Sequence, residues 1–272
     1  MSNLVSRAEG LDSSIEDGLL ILTLDRPQVL NALTRDMIDE VRRLTDTAET
    51  DPDIFAIAIT GKGRAFCSGL DVALLAAAAE SGGASVRKFP EAEIPGMFVH
   101  LLACSKPVLC ALNGVAAVGG FVLAMMCDLR FASDGASLTA GFSNRGLPAE
   151  HGTSWLLLRR IGVARTLDFM WSSRKLSAVE AFDLGLVDHV VPAGTELDAV
   201  RTYVADLKAR CSPRALAMIK QQVYAHLDLD FRASVDDSMA REMAGLKHHD
   251  IGEGARAFIE KRPPAFLPWT GV

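Results

Sequence analysis

Two apolar runs, LLILTL at 19–24 and IFAIAIT at 54–60, bracket a segment with helical periodicity, and that order leaves few folds open. Asp25, Arg26 and Pro27 stop the first run, since proline cannot continue a strand's ladder. Thr34 is placed to cap a helix in which Met37, Val41 and Leu44 recur on one face to about Glu49. Asp51-Pro52 then returns the chain to the second run. Strand, helix and strand joined this way pair in parallel through a right-handed crossover. Strands of parallel sheets are covered on both faces, which demands a large core. A chain of 272 residues, 49% of them hydrophobic, can supply it.

VLCAL (108–112), LRFA (129–132) and VDHVV (187–191) read as further strands. The alanine run 76–79 suggests a short helix, and others are expected over 92–104 and from Gly119 to about Cys127. Ser137–Gly152 is rich in glycine and lacks periodicity, the mark of a functional loop. Helices follow at about 152–160, 164–172 and 177–184. From 195 the pattern is helical throughout, with Ser212-Pro213 opening one helix and His249-Asp250 breaking another. The expectation is an α/β core over 1–192 and a helical portion over 193–272, with no internal repeat.

The formal charge of -6 provides no basic footprint for nucleic acid or an acidic membrane surface. The five cysteines (67, 104, 110, 127 and 211) contain no CxxC pair, so neither a disulfide framework nor a zinc cluster is expected. The segment MSNLVSRAEGLDSS lacks the apolar core of a secretory signal, and no stretch approaches a spanning helix. A reduced cytoplasmic compartment is expected.

Two glycine-containing turns stand in corresponding places, each after a buried strand: GKGRAFCSGLD (61–71) and NGVAAVGGF (113–121). The first fails both the dinucleotide and the Walker patterns, because Phe66 falls where a third glycine is needed and Lys62 lies between the glycines. In the second, small residues before a helix start permit close backbone approach and leave free amides with the helix dipole behind them. Two such turns facing each other would aim two N–H groups at one oxygen, forming an oxyanion hole.

Taken in order, several segments resemble the crotonase (enoyl-CoA hydratase/isomerase) superfamily: RPQVLNAL (26–33), GKGRAFCSGLDV, KPVLCALNGVAAVGG (106–120), AMMCDLRFAS (124–133), LSAVEAFDLGLVDHVV (176–191) and AFIEKR (257–262). The resemblance implies an α/β fold of the crotonase/ClpP-like kind, a ββα superhelix with a helical C-terminal oligomerisation portion. It also implies an acyl-CoA substrate whose thioester carbonyl accepts hydrogen bonds from two backbone amides, expected here at Ser68 and Gly119. One such donor is typically worth ~10²–10³ in rate.

The chain departs from the hydratases of that family at both positions where they carry paired glutamates, which here are Val122 and Phe142. In GLPAEHG (146–152), Glu150 instead falls where related isomerases and dehalogenases carry an aspartate acting as base or nucleophile. Burial among Val122, Phe142 and an acyl chain would raise its pKa and suit it to shuttling a proton. Capping of the following helix is the alternative role for Glu150, and His151 is expected to lie behind it. For coenzyme A, which is part of the substrate so that no separate cofactor or metal is expected, the resemblance implicates backbone near Arg64 and Ala65. Arg26 and Lys62 are the basic side chains expected near its phosphates, and the resemblance adds Phe258 and Lys261 from a neighbouring subunit, with Val122 and Phe142 beside the acyl group. A homotrimer or dimer of trimers is implied as well. The expected activity is double-bond isomerisation with Glu150 as shuttle; hydration of a 2-enoyl-CoA and a catalytically silent homologue are the alternatives.

Overall fold

The structure, a computed structural model, describes residues 2–80 and 95–271. With strands numbered along the chain, the larger sheet orders β1 (Leu11–Glu16), β2 (Leu19–Leu24), β3 (Ala56–Gly61), β5 (Val108–Leu112), β7 (Leu129–Ser133) and β10 (His189–Val191). The smaller orders β4 (Ala65–Cys67), β6 (Val115–Ala117), β8 (Ser137–Thr139) and β9 (Leu176–Ser177). β1 is antiparallel to β2 and β9 to β8, while the other pairings are parallel.

β3 leads into β4, β5 into β6 and β7 into β8, so the chain steps repeatedly from the large sheet to the small one. Helix α2 (Val72–Glu80) follows the first step and α4 (Gly119–Met126) the second. After the third, residues 140–152 lead to α5 (Thr153–Ser172). The expected ββα superhelix is present.

The β2–β3 crossover is filled by α1 (Arg35–Thr50), whose N-cap Thr34 accepts a hydrogen bond from the Met37 N–H at 3.2 Å. Such a cap contributes about 1 kcal/mol. Met37, Val41, Leu44 and Ala48 form its buried face. Along the strands, alternate side chains serve two cores. Leu20, Leu22, Leu24, Ile57, Ile59 and Leu112 face the interior between the sheets. Leu19, Ile21, Ala56, Ala58, Leu109 and Ala111 face α7 (Glu196–Arg210), which buries Val200 and Val204 against them. Burying a valine fully is worth roughly 1.5–3 kcal/mol. The first helix beyond residue 192 therefore covers the large sheet. After it come α8 (Pro213–His226), α9 (Phe231–Gly245) and α10 (His249–Glu260).

Several elements differ from the sequence reading. β1, β4, β6, β8 and β9 were not expected; four of them have two or three residues, too few to show a period, and β1 (LDSSIE) is a largely polar edge strand. The helices expected at 152–160 and 164–172 are joined as α5, kinked where Gly162 adopts φ 77°, ψ 170°. His249-Asp250 opens α10 instead of breaking a helix, because α9 has already ended at Gly245 and His248 caps the next helix by accepting from the Asp250 N–H. Of the helix expected over 92–104, residues 92–94 lie outside the described residues, and α3 spans only His100–Ala103 behind Pro95-Gly96. α6 (Ala178–Leu184) agrees closely with expectation and carries a full capping box between Ser177 and Glu180.

Candidate active site

The first glycine turn is fastened to the RPQVLNAL segment. Leu30 and Asn31 both take left-handed backbone (φ 54° and 56°), which presents the Leu30 carbonyl to the turn. The Ser68 N–H donates to that carbonyl at 2.9 Å. Ser68 is therefore not a free donor, and that expectation is corrected. The free amide lies two residues on. Leu33 and Leu70 form a parallel bridge in which the Leu33 N–H donates to Gly69 O (2.8 Å) and the Asp71 N–H to Leu33 O (2.9 Å). In such a bridge the N–H of Leu70 points to the opposite flank. It has no hydrogen-bond partner among the described residues.

The second turn lies against the neighbouring Gly69. Gly69, at φ 111°, runs so close that a Cβ on it would stand 3.2 Å from Ala117 O and 3.4 Å from Gly119 N. Gly119 begins α4, every residue of which is buried. As the first residue of a helix it has no intrahelical acceptor for its N–H, and none is found among the described residues. Val118 holds the entry in a strained conformation, φ 51° and ψ -111°; such backbone costs about 1–3 kcal/mol and persists only where surroundings enforce it. Gly120 presses on β4 so tightly that a Cβ would lie 2.2 Å from Cys67 O. Two unsatisfied amides, Leu70 and Gly119, thus stand on adjacent backbones with a buried helix dipole behind one of them.

Glu150 lies in the loop between β8 and α5, which begins beside Val118: a Cβ on Gly141 would sit 3.1 Å from Val118 Cγ2. Capping is not its role. The N-cap of α5 is Gly152, without side-chain capping, and it is the Glu150 carbonyl that accepts from the Thr153 N–H (3.0 Å) and Oγ1 (2.7 Å). Its carboxylate has no hydrogen-bond or ion-pair partner among the described residues, and desolvation pushes it above the usual glutamate range. His151 follows at φ 51° and its Nδ1 accepts the Met97 N–H at 3.1 Å, which requires the tautomer protonated on Nε2. Desolvation lowers the pKa of His151, which favours the neutral ring.

Val122 and Phe142 are sealed in the core at 0% and 1% exposure and offer no polar atom. The Arg26 guanidinium is tied to Asp71 and to Ala32 O at 2.8 and 2.7 Å, bracing the first turn, so a phosphate contact from it would compete with both. Asp71 also accepts the Ala73 N–H at the start of α2. The Ala65 carbonyl already accepts from Asn31 Nδ2 (2.8 Å) and Asn113 Nδ2 (3.1 Å). That occupies both lone pairs of this carbonyl, so a ligand contact near Arg64 and Ala65 would fall to other backbone groups of the turn. Arg64 is exposed, with no side-chain partner among the described residues. Phe258 is 86% exposed near the end of α10, and Lys261 follows it, also exposed. Residues 81–94, Glu91 and Glu93 included, lie outside the described residues. No group of His, Cys, Asp and Glu suited to a metal occurs among the described residues.

Sequence reasoning missed two asparagines that build the site. Buried Asn31 accepts from the Arg26 N–H (2.9 Å) and donates to Lys62 O (3.0 Å) and Ala65 O (2.8 Å). Asn113 accepts from the Gly61 N–H (3.1 Å) and donates to Gly63 O (2.9 Å). The tolerance of asparagine for left-handed backbone was the available signal at Asn31.

The sequence model of the enoyl-CoA hydratase/isomerase family matches residues 14–268. A protein of Rhodobacter capsulatus named probable enoyl-CoA hydratase is 35% identical over 254 residues, covering 93% of this chain and 95% of that one. The 1,2-epoxyphenylacetyl-CoA isomerase of Escherichia coli is 31% identical over 258 residues, covering 93% and 97%. Among solved structures, an enoyl-CoA hydratase from Polaromonas superposes with a TM-score of 0.84 at 31% identity, covering 94% of this chain and 99% of that one. This extent of likeness, with the ββα superhelix beneath it, establishes that the chain belongs to the enoyl-CoA hydratase/isomerase family.

Proposed function

We propose that the protein moves a double bond within an acyl-CoA thioester through an enolate. The observation that carries this reading is the pair of unpartnered amides, Leu70 and Gly119, on adjacent backbones. Bound between them, a thioester oxygen accepts two hydrogen bonds that strengthen as negative charge develops on it. Glu150 takes a proton from the γ or α carbon, the electrons pass onto the thioester oxygen, and the same carboxyl returns the proton to the other carbon. The net change is a shifted double bond with no atom gained or lost. Its raised pKa suits both halves of that cycle. Arg64, exposed and without a side-chain partner among the described residues, is free to meet the phosphates of coenzyme A.

Water addition is the second reading, favoured by the names of relatives such as the Rhodobacter protein. It needs a further polar group to hold the water, and positions 122 and 142 supply none. Assay of the purified protein with a 3-enoyl-CoA and with crotonyl-CoA separates the two. Isomerisation exceeding hydration supports the proposal, and the reverse supports the hydratase. Tight binding without turnover on a panel of enoyl-CoAs would identify a silent homologue.

We also infer a homotrimer or dimer of trimers. Phe231 and Phe258 are 86% exposed and Trp171 is 71% exposed, large apolar side chains of the kind that oligomer interfaces cover. Five unpaired cysteines, four of them buried, support a reducing compartment such as the cytoplasm.

A further inference from the structure

A second cleft lies at the opposite ends of the strands from the two glycine turns. It has a volume of about 450 Å³ and opens between the starts of β5 and β7, the middle of α5, and helices α7 and α8. Its walls are mainly apolar, with Leu109, Leu129, Leu156, Leu216 and Val223 among them. Four cations stand in or beside it, and three are paired. Lys220 meets Asp128 at 2.7 Å, Arg159 meets Asp228 at 3.2 Å, and Arg130 meets Asp188 at 2.5 Å. Arg160 is different. Its nearest acid is the Asp188 already held by Arg130, at 4.0 Å, and its guanidinium makes no hydrogen bond to any described residue. Its side chain is only 21% exposed and lines the cleft. The cluster thus holds one positive charge more than its acids balance, and the excess sits on a largely buried guanidinium without a hydrogen-bond partner among the described residues. Leaving a half-desolvated charge unpaired is costly, so the surroundings favour an anion.

We propose that this cleft is a binding site for a monocarboxylate with an aliphatic chain. The planar guanidinium fork of Arg160 receives a carboxylate through two parallel hydrogen bonds. A single negative charge balances the single excess positive one, and the leucine-rich walls bury the chain. Volume and lining are those of sites for small amphipathic ligands. The site is separate from the thioester site: Glu150 precedes α5, whereas Arg160 lies two turns along it.

Calorimetric titration of the full-length protein with dodecanoate tests this, with dodecan-1-ol as the uncharged control. One dodecanoate per chain is expected, bound at least tenfold tighter than the alcohol and not displaced by acyl-CoA. Arg160→Leu should abolish the preference for the acid while leaving thioester turnover unchanged, and Arg160→Lys should restore part of it. Absence of dodecanoate binding, displacement by acyl-CoA, or an equal affinity in Arg160→Leu would overturn the proposal. So would a change of oligomeric state in Arg160→Leu without carboxylate binding in the parent, since the cleft would then be filled by another copy of the chain.

Discussion

Glu150 was legible as a carboxylate ahead of a helix, but sequence alone left two roles open to it. The structure removes capping, because Gly152 takes the cap position and leaves the Glu150 side chain unpartnered among the described residues. Glu150→Gln is expected to lower kcat by about 10²–10⁴, the usual worth of a general acid–base, with acyl-CoA affinity within twofold of the parent. Because burial raises its pKa, the acid limb of kcat/KM in the parent should lie above the ordinary glutamate value of about 4.3. A limb at or below that value would count against Glu150 as the base. Ser68 shows what motif position does not reveal. Adjacent N–H groups in a turn point to different flanks, and which of them is free depends on the partner strand. The Leu30 carbonyl that takes the Ser68 amide comes from a residue 38 positions away whose left-handed backbone has no signature in a leucine.

Long apolar strands and the capped helix α1 could be read because burial on both faces, or on one stripe, writes a period into enough residues. The strands of the small sheet could not. β4, β6 and β9 exist because neighbouring backbone offers ladder partners, and two or three residues carry no period of their own. These same short strands carry the site. Gly120 sets how closely α4 approaches β4, since a Cβ there would lie 2.2 Å from Cys67 O, backbone that cannot swing aside. Gly120→Ala is expected to destabilise the fold by about 1–3 kcal/mol, as overpacking does. It should also displace the Gly119 amide from Leu70. Urea unfolding and kcat measured together should both fall; retention of full activity would show that the α4–β4 spacing does not set the hole.

The chain as a whole carries a titratable liability in α3. Both ring nitrogens of His100 are buried without hydrogen-bond partners, and burial lowers its pKa to about 3. An unfolded histidine titrates near 6.5, so between these values the unfolded chain holds the extra proton and stability falls as pH falls. At pH 5 the loss from this group is about 2 kcal/mol. Urea unfolding of His100→Leu at pH 7 and pH 5 should show a correspondingly smaller loss on acidification than the parent, and an equal loss in both would refute it. Sedimentation equilibrium should give three or six times the 29.2 kDa of one chain, and Phe258→Asp should shift the distribution toward single chains. The two amides and the carboxylate together are tested most directly by a crystal structure with a non-reactive acyl-CoA thioester bound. The thioester oxygen is expected about 2.7–3.1 Å from both Leu70 N and Gly119 N, with the Glu150 carboxyl facing the α and γ carbons. A thioester oxygen seated elsewhere, with Leu70 and Gly119 still unpaired, would contradict the enolate mechanism.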